Sequence, residues 1–222
     1  MKTHPMLSRA ALALAVATTL AATLSACAPL VIGGAAVGAM MAFDRRTSGT
    51  QIEDESIELR AASRLRDAFS DRAHLNVTSY SRQVLLTGEV PTEQAKQQAE
   101  QIVSRVENVT GTINELAVAP PTSLAQRSSD ALITGQVKAS LVDDSSLSVS
   151  AFKVVTERGT VYLMGRVTQR EADRATQIAR HINGVKRVVR IFEIISEEEL
   201  RRLTPSLGRS APAPARPASA AR

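Results

Sequence analysis

Tryptophan is missing from this 222-residue chain, aromatics make up 3% of it, and there is one cysteine, Cys27. Each shortage excludes something. A single thiol cannot close an internal disulfide or build a thiolate metal cluster. Two tyrosines and four phenylalanines are too few for the stacking platforms that hold single-stranded nucleic acid. Any core must therefore be aliphatic, built from Val, Ile, Leu and Ala. Catalytic signatures are missing as well. No G-x-S-x-G elbow, phosphate-binding loop or G-x-G-x-x-G run occurs, and His74 and His181 lie in no metal-ligand spacing. The acidic neighbours Asp143-Asp144 and Glu197-Glu198-Glu199 do not converge on one point in a helix. The sequence points away from an enzyme and from a metal or small-molecule site.

What is present begins with a leader. Lys2 and Arg9 precede an apolar run, Ala10 to Ala22, which is shorter than the roughly 20 residues that span a bilayer. This is the anatomy of a secretory signal. It ends on Leu24-Ser25-Ala26-Cys27, which resembles the bacterial lipobox. The expected product is a chain cut after residue 26, with diacylglycerol and an N-acyl chain on Cys27 and no other cofactor. Several acyl chains anchor stably where one binds only reversibly, because each buried methylene contributes about 0.8 kcal/mol. Ala28 follows the cysteine instead of the aspartate that usually retains such proteins in the inner membrane, so the outer membrane, periplasmic side, is expected. An exported address also argues against nucleic acid as partner, despite a pI near 9.9. Losing Lys2 and Arg9 lowers the net charge from +5 to +3.

Residues 27–50 read as a Gly/Ala-rich apolar tether, with a short packed helix as the alternative. Residues 197–222 read as a disordered Pro/Ala-rich tail.

Between the ends the chain repeats itself. "VLLTGEV" at Val84 to Val90 returns as "VYLMGRV" at Val161 to Val167. The match extends without a gap over His74 to Val90 and Ala151 to Val167. After a one-residue shift, Ala99 to Leu116 matches Ala175 to Phe192. Upstream, Ile57, Ala61 and Leu65 match Ile133, Val137 and Leu141 at helical spacing. Each copy reads as helix, two strands, helix, strand. The predicted fold class is α+β: two tandem α-β-β-α-β domains at 51–119 and 129–196, each with two helices on a three-stranded mixed sheet, joined by a linker at 120–128. Ser129 or Asp130 is the expected cap of the third helix. Glu157 to Thr160 is the expected turn, with Gly159 at positive φ. Gly88 and Gly165 fall on the helix-facing side of their strands, where glycine permits close backbone approach or a bend.

The lipobox, the tether, "DRRTSGTQIEDE" at Asp44 to Glu55 and the two units with Leu-x-Gly strands together resemble the BON domain family, in particular its dual-BON outer-membrane lipoproteins. The resemblance covers Leu24 to about Ile195. It implies a non-catalytic periplasmic module that associates with phospholipid and supports envelope integrity.

Charge distinguishes the copies. Glu53 to Val118 holds 7 basic and 11 acidic residues, and Asp130 to Ile195 holds 10 and 7. The basic copy suits an anionic membrane, where each well-placed Lys or Arg contributes about 1 kcal/mol. The helix "SSDALITGQVKASLV" carries Leu132 and Val142 beside its core stripe. Leu132 either inserts between acyl chains next to Lys138 or fills a core edge or the seam between domains; the resemblance tips the choice toward lipid. The expected lipid set is Leu132, Ile133, Gln136, Lys138 and Val142, with Ile133 belonging to the core stripe as well. The rival reading is an adaptor for envelope or division-site proteins, docking through the acidic first copy.

Overall fold

The computed structural model describes residues 44–203; Cys27, most of the tether and the Pro/Ala tail lie outside them. Helix α1 (Ser48–Phe69) starts at Thr47, whose side chain accepts from the Thr50 amide. It buries Ile57, Ala61, Leu65 and Phe69, one residue per turn, against β1 (His74–Tyr80) and β2 (Gln83–Val90). Thr92 caps α2 (Glu93–Ser104), which adds Ala95, Ala99 and Val103 to the same core. The last strand comes in two pieces, β3 (Gly111–Asn114) and β4 (Ala117–Val118). The second copy repeats this order with α3 (Leu124–Asp143), β5 (Phe152–Glu157), β6 (Thr160–Val167), α4 (Gln169–Arg180) and β7 (Arg187–Ile194).

In each sheet the first two strands are antiparallel and the last runs parallel to the middle one. The fold is thus α+β with two α-β-β-α-β units. The hairpin turns explain two sequence features. Ser81 and Arg82 take φ of 51° and 64°, and Arg158 and Gly159 take 55° and 76°. Two consecutive positive φ values match the right-handed twist of the flanking strands. Only one of these four residues is glycine, so both turns need outside support. A buried aspartate supplies it each time. Asp54 accepts from the Ser81 and Arg82 amides, and Asp130 accepts from the Arg158 and Gly159 amides, all at 2.7–2.8 Å.

Gly88 and Gly165 are places of close backbone approach. A Cβ would lie 2.0 Å from the His74 carbonyl oxygen at Gly88, and 2.4 Å from that of Ala151 at Gly165. The obstacle is the first residue of β1 at Gly88, and at Gly165 the last residue of a short 3-10 turn, Val149–Ala151, that leads into β5. Gly88 also sits at φ 113°.

Alternation along the middle strands builds a second interface. Val84, Leu86 and Val90 face the helices of the first unit, and Val161, Leu163 and Val167 those of the second. The intervening Leu85, Tyr162 and Met164 point the other way and join Tyr80 and Ile191 in a shared buried cluster. The two sheets therefore pack back to back, giving helix, sheet, sheet, helix layers.

Three expected boundaries move. Ser123, not Ser129 or Asp130, caps α3, so the linker shortens to residues 119–123. Residues 44–50 belong to the fold and not to a tether. Arg45 forms a two-pronged ion pair with Glu171 and donates to the Arg166 carbonyl, tying the entry of the first unit to the second. Residues 197–203 form helix α5 (Glu197–Leu203), joined to the second unit by the Arg166–Glu199 and Arg170–Glu197 pairs.

Candidate functional site

Helix α3 presents two different sides. Asp130, Ile133, Val137 and Leu141 are buried toward β5 and β6. On the outer side Leu132 is 69% exposed, Val142 62% and Leu124 79%, with Gln136 and Lys138 exposed among them. Leu132 and Val142 are ten residues apart, about 15 Å along the axis. Ile133 belongs wholly to the core. It is 5% exposed and packs under Gly184, where a Cβ would come within 3.0 Å of its Cδ1. The lipid set drawn from the sequence therefore loses Ile133, because a side chain held in the core cannot reach an acyl chain. The other four are exposed and spread over about 160° of the outer side of the helix.

The charge reading also changes. Of the ten basic residues of the second unit, Lys153, Arg158, Arg166, Arg170, Arg174, Arg187 and Arg190 are in ion pairs. Asp144, held by Ser146 and then by Arg174, has its carboxyl pulled down to about 2. Among the described residues Lys138, Arg180 and Lys186 are exposed and form no ion pair. Three acidic residues of the first unit face cations of the second. Glu58 pairs with Lys153 at 2.6 Å, Glu115 with Arg187 at 2.6 Å and Glu89 with Arg158 at 3.4 Å. Opposite charge on the two copies is thus partly a device for docking them to each other. Among the described residues, no helix is long and apolar enough to cross a membrane.

The seam between the sheets is the part that spacing did not disclose. At one end lie Tyr80, Arg166 and the Arg45–Glu171 pair; the Tyr80 hydroxyl lies 3.3 Å from the Arg166 amide, which donates to it. At the other end His74, Glu89 and Glu157 place one ligand-type atom each within 4.8 Å of one another. Burial pushes Glu157 above the usual carboxylate range, and the charges of Glu89 and Asp130 add to the push. Burial works against Glu89 too, but the Thr122 amide, His74 and Arg158 outweigh it and hold Glu89 below that range. The sequence contained one signal of the seam. Polar or charged residues recur on the non-helix face of β2 and β6, at Thr87, Glu89 and Arg166, between large apolar ones.

Comparison with known proteins places the chain. A family model described as "BON domain" matches residues 53–120 and 129–195. The chain is 41% identical over 174 residues to the outer membrane lipoprotein DolP of Haemophilus influenzae, covering 78% of this chain and 90% of that protein. It is 35% identical over 154 residues to a 21 kDa hemolysin of Actinobacillus pleuropneumoniae, covering 68% and 79%. It is 30% identical over 144 residues to the osmotically-inducible protein Y of Escherichia coli K12, covering 63% and 72%. With the repeated unit, its matched spans and these relatives in agreement, the chain belongs to the BON domain family and carries two copies of the domain.

Proposed function

We propose that this chain is a non-catalytic lipoprotein of the outer membrane, held on the periplasmic face by acyl chains on Cys27, whose second BON domain rests on anionic phospholipid and so supports envelope integrity. The observation that carries the lipid contact is the outer face of α3. Two large apolar side chains stand in solvent there, and Val142 lies one turn from Lys138, a cation with no ion pair among the described residues. Burying a Leu or Val side chain contributes about 1.5–3 kcal/mol, and a well-placed lysine about 1 kcal/mol near an anionic surface. Neither amount binds a free protein tightly. Both are useful to a protein that a lipid anchor already holds at the surface. The lipobox and the DolP relative support the address.

An adaptor that docks through the acidic first copy has less support, because Glu58, Glu89 and Glu115 already face cations of the second copy. Co-sedimentation of residues 44–203 with vesicles of phosphatidylglycerol and of phosphatidylcholine tests the lipid reading. The expected result is binding to the anionic vesicles, at least about fivefold weaker in Leu132→Glu, with the melting temperature unchanged. Equal binding by the two proteins overturns it.

A further inference from the structure

Two carboxylates are buried side by side at this end of the seam, and of the two only Glu89 faces basic side chains, His74 and Arg158. Glu89 is fully buried and Glu157 is 7% exposed. Glu89 has the Thr122 amide and Arg158. Glu157 has no ion pair among the described residues; its side-chain partner is the Asn76 amide, at 3.0 Å. Isolated buried charge is costly and is normally relieved by a proton, an ion pair or a metal.

We propose that His74, Glu89 and Glu157 bind a divalent cation of the zinc type, bridging the two BON domains. His74 Nδ1 lies 3.0 Å from Glu89 Oε2. Donors at about 2.0 Å from a tetrahedral zinc stand about 3.3 Å apart, so this pair already has the spacing of two ligands. The Glu157 donor is within 4.8 Å of both and completes the triangle. One imidazole with two carboxylates suits zinc, whereas calcium or magnesium would favour oxygen donors alone. The outer shell is in place. The Thr122 amide holds Glu89, and Asn76 holds Glu157. Access is present as well. His74, Asn76 and Glu157 line a cavity of about 400 Å³ that also touches α3. It leaves an entry path and room for a water as fourth ligand. Arg158 is the competitor, but its side chain is 43% exposed and can turn into solvent as the cation enters.

The repeat offers an internal control. By the alignment of the copies, His74, Glu89 and Glu157 correspond to Ala151, Arg166 and Tyr80 at the other end of the seam. The fold places three side chains together at both ends, and only one end has ligand chemistry. Spacing could not have found this site, because its residues come from β1, β2 and β5 across two domains.

The test uses the full-length protein in detergent, stripped with a chelator and titrated with zinc chloride by calorimetry, with cobalt absorption reporting geometry. The expected result is one equivalent bound, a higher melting temperature with zinc, and affinity reduced at least about tenfold in both His74→Gln and Glu157→Gln. Glu157→Gln removes a buried charge, so its metal-free melt should be no lower than that of the parent. His181→Gln should bind as the parent does. An unchanged melt on adding zinc, or parental affinity in Glu157→Gln, overturns the proposal.

Discussion

Helices α1 and α3 occupy the same place in the two units, and their inner residues correspond: Asp54 with Asp130, Ile57 with Ile133, Ala61 with Val137 and Leu65 with Leu141. Their outer residues do not. Where α3 has Leu132, Gln136 and Val142, α1 has Ser56, Arg60 and Arg66, and its own exposed apolar residues, Ile52 and Leu59, stand where α3 has Ser128 and Gly135. Arg60 is used locally, pairing with Glu53 at 2.7 Å, and Arg64 donates to the Arg105 carbonyl. The inner face is set by the demands of one fold, met twice. The outer face answers to something beyond the fold, and the two copies answer differently. The same holds at the ends of the sheet seam, where equivalent positions carry His, Glu and Glu at one end and Ala, Arg and Tyr at the other.

The glycines are where the shared part of this comparison breaks most severely. Gly88→Ala forces a Cβ into the His74 carbonyl at a φ that L-residues avoid, and should cost about 4 kcal/mol or more. Gly165→Val meets the Ala151 carbonyl without the φ penalty and should cost about 3 kcal/mol. Denaturant unfolding measures both. Unchanged midpoints would mean that the strands do not approach as described.

The turn aspartates come next. Removing either side chain orphans two turn amides, and Asp54→Ala also strips Ser79 Oγ of its acceptor and Arg46 of one of its two carboxylate partners. Asp54→Ala should cost about 3 kcal/mol and Asp130→Ala about 2 kcal/mol. The gap should narrow when Arg82→Gly is added to Asp54→Ala, since glycine relieves the positive φ that Arg82 must hold. Equal losses from the two alanine variants would break the comparison.

Acid should act more gently. Burial opposes ionisation of Glu171, but Arg45 and the Thr168 amide hold its carboxyl below the ordinary value of 4.5. A carboxylate with a depressed folded-state pKa stabilises fully above its unfolded value, and that contribution is lost as pH falls through the folded one. Stability should therefore fall below pH 4.5, and Arg45→Ala should flatten that fall. A parallel acid limb in the variant would show that the strap at the domain seam contributes nothing.

Much of this was legible before any coordinates. The gapless match around Gly88 and Gly165 disclosed the duplicated α-β-β-α-β unit, because strand and helix periodicities had to be satisfied twice in one register. The N-terminal ends of α1 and α3 were hidden, since Ser48 to Gln51 and Ala125 to Ser129 are polar or small and the lone Leu124 makes no periodic apolar stripe; Thr47 and Ser123 cap them nonetheless. Helix α5 was hidden for a similar reason. Its stability comes from charge, through Arg166, Arg170 and an internal Arg202–Glu198 pair. The last strand of the first unit reads as one run but splits, because the Asn114 side chain takes the Leu116 amide and Leu116 turns into the core. On the candidate lipid face the 100° rotation per residue located Leu132 and Val142 outside the stripe. The same rotation put Ile133 in the core stripe, where the structure buries it under Gly184; counting it in the lipid set as well was the error. The seam needed the third dimension, because Leu85, Tyr162 and Met164 look in sequence like ordinary outward positions of a strand.

The most direct measurement exchanges the outer faces of the two helices. One variant gives α3 the residues of α1, Leu132→Ser with Val142→Arg; the other gives α1 those of α3, Ser56→Leu with Arg66→Val. Both are compared with the parent for binding to phosphatidylglycerol vesicles at matched melting temperature. The first variant should lose most of its binding, although it has gained a positive charge, and the inner cores of both should remain intact. Undiminished binding by the first variant would contradict it.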